Sequence, residues 1–229
     1  MGALLKVIKS QLIFLVTLIQ VSLLAQDGLY YKNSSYNPNA SIVFKGKIIL
    51  SMKEPDKGHE LFSYDEENGF QLIKDIYVGN YSSDPHNFCI YNDKLYFAAG
   101  SADYGIELWV YDGINEPEIV SNIVGDQYDS RPSYLTVFNN KLYFSAATKG
   151  PPDYYWNLMS YDGNEVKVVG DYNGYKRRHV RDLVVFKNEL YFAANRNDYH
   201  WLSFERCSDL FKMGSDEVVK GIVNIDNNC

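Results

Sequence analysis

The sequence of 229 residues has few cysteines and no metal-binding spacing. Its three cysteines, Cys89, Cys207 and Cys229, form neither a Cys-x-x-Cys pair nor a Cys/His zinc pattern. Cys89 lies in an apolar run and is expected to be a free, buried thiol, whereas Cys207 and Cys229 could form one disulfide. The fold therefore has to be held together by a hydrophobic core, for which the chain is long enough.

Basic charge and catalytic motifs are also scarce. The chain has 22 Lys+Arg against 29 Asp+Glu, a formal net charge of -7. This balance argues against general binding to nucleic acids or to anionic membranes, because both require a net basic face. The sequence has no Gly-x-Ser-x-Gly elbow, Walker loop or dinucleotide fingerprint, and its four histidines show no metal spacing. It predicts no catalytic residue and no cofactor.

Residues 1–25 have the composition of a signal peptide. Lys6 and Lys9 precede an apolar stretch over 12–25, and 14 residues are short for a membrane span, which needs about 20. We expect cleavage after Ala25, a lead-in over 26–40, and a secreted or cell-surface protein whose mature chain has no membrane span. An uncleaved membrane anchor is the alternative.

The most informative feature of the chain is a fourfold repeat. An apolar strand, a polar pair and a second apolar strand recur, and the aromatic residue before the polar pair is spaced by 47, 47 and 48 residues. These aromatic residues are Phe44, Tyr91, Phe138 and Phe186. The pattern predicts repeats over 41–87, 88–134 and 135–182, and a degraded fourth repeat over 183–229.

Each repeat is predicted to form about four short antiparallel strands, and the fourth strand is expected over 71–76, 118–123, 166–169 and 217–222 in the four repeats. The polar pairs at 45–46, 92–93, 139–140 and 187–188 suit two-residue hairpin turns. The strand that follows each turn is apolar without alternation, as expected for a strand that is covered on both faces. Four strands per repeat of about 47 residues favour an all-β, β-propeller-like fold of four blades over a Greek-key sandwich.

The sequence contains opposing indications about closure of the ring. The apolar segment Leu29 to Tyr31 could fasten the last blade to the first. Against closure, the fourth repeat has a longer loop over 195–208 and a weak third-strand motif. We therefore expect an incompletely closed arc or a loosely closed ring.

The second repeat contains a recognisable motif. Glu107-Leu108-Trp109-Val110-Tyr111-Asp112-Gly113, followed by an apolar strand and Arg131-Pro132, resembles the ELWxxDGT repeat proteins. The first repeat keeps Glu60-Leu61-Phe62, the third keeps Asp162-Gly163, and the threonine of the motif is absent throughout. The resemblance implies a secreted or surface protein with propeller-like repeats and no established catalytic residues.

Two regions are candidates for ligand binding. The only basic cluster in the chain lies in the loop before the fourth repeat, and aromatic residues in two loops could stack on sugars. The candidate binding residues are Lys176, Arg177, Arg178, Arg181, Tyr154, Tyr155, Trp156, Tyr199 and Trp201. The alternatives are a solvated loop for the first group and packing under a loop for the second.

A recurring Asp-x-Gly-x-Glu pattern makes Asp56 and Asp103 weak calcium candidates. The pattern lacks the density of acids found in known calcium loops, so a tight turn with glycine at positive φ is the favoured interpretation.

The favoured function is a non-catalytic secreted or cell-surface module that binds protein or glycan. The alternative is an extracellular, glycosidase-like hydrolase with paired carboxylates at the propeller mouth. Glu54, Glu60, Glu107, Asp103 and Asp153 are available for such a pair, and nothing in the sequence singles out two of them.

Overall fold

The structure is a computed structural model, and it describes residues 41–151, 156–169, 179–195 and 208–224. The expected signal peptide and the segment Leu29 to Tyr31 lie outside these residues. The described residues form sixteen strands and no helix, so none of them forms a helix able to cross a membrane.

The strands make four antiparallel sheets, each in simple sequential order. Sheet 1 contains β1 Ser41–Phe44, β2 Lys47–Glu54, β3 Gly58–Asp65 and β4 Gly69–Lys74. Sheet 2 contains β5 His86–Tyr91, β6 Lys94–Ser101, β7 Gly105–Tyr111 and β8 Glu118–Ser121. Sheet 3 contains β9 Ser133–Phe138, β10 Lys141–Ala147, β11 Trp156–Tyr161 and β12 Val166–Val168. Sheet 4 contains β13 Arg181–Phe186, β14 Glu189–Asn195, β15 Ser208–Met213 and β16 Val219–Asn224.

The hairpin turns within the repeats are confirmed. All four predicted pairs are two-residue turns, and both residues of each pair have positive φ between 45° and 79°. Asparagine and glycine tolerate this conformation, and its twist matches that of the flanking strands. The register of the hairpins follows directly, for example with Phe44 opposite Lys47.

The four sheets pack face to face in sequence order, like blades of a propeller. The first strand of each sheet lies beside the first strand of the next, so these strands are innermost. We call the side of a sheet that meets the following sheet its forward face and the opposite side its rear face. The forward face of sheet 2 carries Tyr91, Tyr96 and Leu108, and it packs on Leu142 and Phe144 from the rear face of sheet 3.

The same pairing recurs at the other two interfaces. Sheet 1 presents Phe44, Ile49 and Leu61 to Leu95 and Phe97 of sheet 2. Sheet 3 presents its own equivalents to sheet 4, namely Phe138, Tyr143 and Leu158 against Leu190 and Phe192. The central strands are apolar on both sides for this reason, as the sequence predicts.

The arc formed by the described residues is not closed. No core cluster of the described residues joins sheet 4 to sheet 1. Phe186, the forward-face aromatic of sheet 4, is 57% exposed, whereas its equivalents in sheets 1 to 3 are 3–4% exposed. The prediction of a propeller-like fold with incomplete closure is therefore confirmed.

The outermost strands are shifted relative to the sequence-based expectation. In sheet 1 the predicted strand over 71–76 is observed as Gly69–Lys74. Ile76 leaves the ladder because its amide donates to the Glu60 carboxylate instead. In sheet 4 the strand over 217–222 is observed as Val219–Asn224, since Glu217 has positive φ in the preceding turn and its amide donates to Gly214.

Candidate functional site

The exposed tyrosines and the buried glutamates of the repeats lie at one end of the stack of sheets. At this end, which we call the loop end, the first strand of each sheet begins. The turns between the second and third strands reach the same end, because neighbouring strands are antiparallel. The loop end also contains the segments that connect one sheet to the next, over 75–85 and 122–132.

The first connecting segment is fixed by a buried glutamate. Glu60, at the start of β3, has no exposed surface. Its Oε2 accepts hydrogen bonds from the Ile76 amide (2.8 Å) and the Ser83 hydroxyl (2.5 Å), and its Oε1 accepts one from the Ser83 amide (2.9 Å). Burial raises the pKa of Glu60, and these hydrogen bonds act in the opposite direction.

The second connecting segment is fixed in the same way by Glu107. Its Oε2 accepts hydrogen bonds from the Ser130 hydroxyl (2.6 Å) and the Ile123 amide (3.2 Å). Its Oε1 is buried and has no hydrogen-bond partner among the described residues. Burial is the main cause that raises the pKa of Glu107 to about 7, and the Ser130 and Ile123 hydrogen bonds only partly offset it.

The other residues of the Glu-Leu-Trp-x-x-Asp motif are also structural. Leu108 is fully buried in the core between sheets 2 and 3. Trp109 packs against sheet 1 and donates its indole N–H to the Ala99 carbonyl (3.0 Å). Asp112 accepts the amides of the following turn at 2.8 Å, and these hydrogen bonds lower its pKa to about 2.

Close backbone approach explains the glycine of the Asp-x-Gly-x-Glu pattern. Gly58 and Gly105 have φ of +72° and +66°. A Cβ on Gly58 would lie 2.2 Å from the Tyr81 carbonyl oxygen, and one on Gly105 would lie 2.8 Å from that of Gln127. The connecting segments therefore rest directly on these turns, as only glycine permits.

Exposed tyrosines stand on the anchored segments. Tyr81 is 63% exposed and Tyr128, its equivalent in the next repeat, is 47% exposed. Each tyrosine is followed by a residue whose side chain accepts a hydrogen bond from the backbone amide of the residue before the buried glutamate. Ser82 accepts from His59 and Asp129 accepts from Ile106, both at 3.0 Å. The tyrosine rings are therefore exposed to solvent on a backbone that hydrogen bonds hold in place.

Further aromatic residues extend this surface. Tyr77 lies 5.1 Å from the ring of Tyr81, and the ring of Tyr128 lies over Gly150, where a Cβ would approach it within 2.9 Å. Tyr104 and Tyr134 are also exposed. We refer to Tyr77, Tyr81, Tyr104, Tyr128 and Tyr134 as the tyrosine surface.

The innermost strands have an unusual backbone at the loop end. Asn87, Tyr134 and Asp182 occupy the same position in β5, β9 and β13, and all have φ between 56° and 57°. Each lies at a register shift of its strand pair. Such bulges redirect side chains and cluster near functional sites, and positive φ is costly for a residue as large as tyrosine.

Two of the nine predicted binding residues are described. Trp156 is half-buried, with its ring 6.2 Å from that of His179, and Arg181 is half-buried and 3.4 Å from Asp182. The structure therefore brings one member of the aromatic group close to the basic segment. The remaining predicted residues lie outside the described residues, and their role stays a prediction: Tyr154, Tyr155, Lys176, Arg177, Arg178, Tyr199 and Trp201.

The weak calcium candidates lie in exposed turns. Asp56 and Asp103 occupy the turns before β3 and β7. No group of three metal-ligating side chains occurs in the described part of the chain. The pattern's glycines have positive φ, as the turn interpretation requires, and its glutamates are buried in hydrogen bonds to the backbone.

Cys89 is a free, half-buried thiol whose pKa is raised to about 11 by burial. The thiol is free, as the sequence predicts, but it is half-buried and not fully buried. Cys207 and Cys229 lie outside the described residues, so their pairing stays a prediction.

Sequence reasoning missed the tyrosine surface. The signal was present, since Tyr81 and Tyr128 are 47 residues apart and Tyr175 follows at the same interval outside the described residues. When the repeats are aligned, the match depends mainly on the apolar residues of the strands. These tyrosines lie in loops whose composition varies from repeat to repeat.

Comparisons with known proteins identify no family for this chain. No family model matches the chain, and no curated protein matches it. Among solved structures, the chain is similar to an α-L-arabinofuranosidase, CtGH43, from Clostridium thermocellum, at 14% identity and a TM-score of 0.27. The alignment covers 88% of this chain and 98% of the enzyme's chain. At this level of similarity nothing about activity follows.

Proposed function

We propose that this chain is a non-catalytic, exported module that binds a glycan or an extended segment of another protein at its loop end. We also propose that it is a repeat protein of the ELWxxDGT type, on the strength of the motif in the second repeat. The single observation that carries the binding function is the pair of exposed tyrosines at equivalent positions on anchored loops.

The chemistry of the tyrosine surface suits a neutral ligand. A tyrosine ring offers an apolar face for stacking and a hydroxyl for hydrogen bonds, and it costs little conformational entropy to fix. The anchored backbone lowers the ordering cost further. Carboxylates at the same end, such as Asp56, Asp84 and Asp126, can accept hydrogen bonds from sugar hydroxyls and would repel an anionic ligand.

The acids of the repeat motif do not need a catalytic role. Glu60 and Glu107 are fully buried and bound to backbone amides and serine hydroxyls. A raised pKa often marks a catalytic acid. Here burial in a structural contact is a sufficient cause, and the same contact is repeated in two sheets.

Binding to a panel of neutral and acidic glycans, and to cell-wall extracts, tests the proposal. Tyr81→Ala and Tyr128→Ala should each weaken binding by about 1 to 3 kcal/mol, in the range of lost aromatic hot spots. Ile114→Ala is the matched control, because Ile114 is 85% exposed in the turn at the opposite end of the sheets.

The hydrolase alternative makes a different prediction. It requires turnover of a glycan, measured as release of reducing ends, and loss of that turnover in a carboxylate variant. Turnover by the intact chain would contradict a non-catalytic function. Binding that survives both tyrosine substitutions would contradict the assigned surface.

A further inference from the structure

The forward face of sheet 4 is apolar and open. Phe186 and Val184 from β13 are 57% and 55% exposed. Tyr191 and Leu210, on the same face in β14 and β15, are only half-buried. The equivalents of Tyr191 and Leu210 on the other three forward faces are 0–3% exposed: Ile49, Tyr96 and Tyr143 in the second strands, and Leu61, Leu108 and Leu158 in the third strands.

This face also keeps residues that make contacts between sheets elsewhere in the chain. In sheet 1, the hairpin residue Lys45 reaches the next sheet, donating to the Asp112 carbonyl (2.9 Å) and pairing with Asp93 (3.0 Å). Sheet 4 has Lys187 at the equivalent position, where its ammonium group lies 5.3 Å from the centre of the Phe186 ring. The residue types of an internal interface are present, but no following sheet covers them in the described part of the chain.

The rear face of sheet 1 is not an available partner for this open face. Leu50, Met52 and Phe62 on that face are only 4–7% exposed. A head-to-tail arrangement, in which sheet 4 of one chain packs on sheet 1 of another, would need that face to be free. Among the described residues, the forward face of sheet 4 is open and the rear face of sheet 1 is covered, which favours a two-fold arrangement in which the same face of two copies meets.

The charges of the forward face of sheet 4 suit self-association. Glu189 and Lys212 form an ion pair at 2.8 Å on this face, and the Tyr191 hydroxyl donates to Glu189 (2.9 Å). A two-fold contact places a patch against its own copy, so a patch that carries both signs of charge can complement itself. This patch combines both signs of charge with an apolar centre.

We propose that the forward face of sheet 4 is the interface of a two-fold symmetric homodimer. Four strands about 4.8 Å apart and about 20 Å long present roughly 400 Å² per copy. Stable interfaces bury about 800 Å² per partner, so the dimer is expected to be weak and dependent on concentration.

Analytical ultracentrifugation of the intact exported chain over a wide concentration range tests this. We expect a reversible monomer–dimer equilibrium, which Phe186→Lys and Val184→Lys should each weaken at least about tenfold. Both residues are more than half exposed, so the folded monomer should persist, and circular dichroism would verify it. Ile114→Lys, which is exposed away from this face, is the matched control.

Each outcome decides the proposal. A chain that stays monomeric at every concentration would overturn it, as would a dimer that both substitutions leave unchanged. Higher oligomers that grow without limit would show a head-to-tail contact and would also overturn it, because a two-fold contact stops at two copies.

Discussion

The three forward faces inside the arc and the forward face of sheet 4 have nearly the same composition but different surroundings. Phe138 and Phe186 occupy the same position, in the same kind of strand, before the same kind of turn. Phe138 is 4% exposed and Phe186 is 57% exposed. The repeat therefore specifies the shape of each sheet, whereas burial of its forward face depends on whether another sheet follows.

The largest expected effect comes from emptying one of these two positions. Phe138→Ala leaves a cavity between sheets 3 and 4 and should lower the free energy of unfolding by about 3 to 5 kcal/mol. Phe186→Ala removes a mostly exposed ring and should cost less than about 1 kcal/mol. Denaturant unfolding of both variants measures the difference, and equal losses would show that the face of sheet 4 is covered.

The buried carboxyl group of Glu107, which contacts the segment between sheets 2 and 3, should make the free energy of unfolding depend on pH. Its pKa is about 7 in the folded chain against 4.5 ordinarily, so the folded chain binds the proton more tightly between these values. Stability should therefore fall as the pH rises from about 4.5 to 7.

Glu107→Gln should reduce this slope and stabilise the chain at pH 8 relative to the native sequence, by up to about 3 kcal/mol. Some slope should remain because the pKa of Glu60 is also raised. Thermal or denaturant unfolding across this pH range measures it. Glu66→Gln, in an exposed turn, is the control, and an unchanged slope in the Glu107 variant would contradict the assignment.

The close approach of the segment between sheets 2 and 3 predicts an intermediate effect. Gly105→Ala places a Cβ 2.7 Å from Asp129 and 2.8 Å from the Gln127 carbonyl at positive φ, and should cost about 2 kcal/mol or more. Gly125→Ala also has positive φ, but nothing lies within 4 Å of its Cβ, so about 1 kcal/mol is expected. Similar losses in the two variants would show that the segment does not rest on the turn.

The smallest effect concerns the lysines that begin the first and last hairpins. Lys45→Ala removes an exposed ion pair and a hydrogen bond to sheet 2, and should cost no more than about 1 kcal/mol. Lys187→Ala should leave the free energy of unfolding nearly unchanged at dilution, because no sheet among the described residues follows sheet 4 to accept its charge. Unfolding at low and high salt separates the two, since only the Lys45 difference should shrink with salt.

The sequence was sufficient to predict the four sheets but not the ends of their outer strands. The repeat period, the polar pairs at the hairpin turns and the non-alternating apolar runs predicted the four-stranded units correctly. These patterns are visible in the sequence because turn geometry and burial on two faces are determined by residues close together in the chain. The predicted outer strands were misplaced by about two residues where a side chain replaces the neighbouring strand as hydrogen-bond acceptor. Glu60, for example, accepts the hydrogen bond from the Ile76 amide. Such a contact spans 16 residues and has no periodic signature.

The candidate site was harder to predict for a related reason. Basic and aromatic clusters are visible in a sequence, whereas the exposure of Tyr81 and Tyr128 depends on anchors formed by Ser82 and Asp129. Neither anchor differs in composition from an ordinary polar loop residue. The Glu-Leu-Trp motif is visible in the sequence, but the structural role of its glutamate is apparent only from the hydrogen bonds that the glutamate accepts.

Hydroxyl-radical footprinting of the dilute, folded chain tests the open face most directly. Mass spectrometry reports oxidation of Phe138 and Phe186 in the same molecule, without substitution, and the rate follows side-chain exposure. The open arc predicts that Phe186 is oxidised many times faster than Phe138, and that concentrating the protein slows only Phe186. Equally slow oxidation of the two residues at dilution would show that another sheet covers sheet 4 within the chain, and would contradict the account.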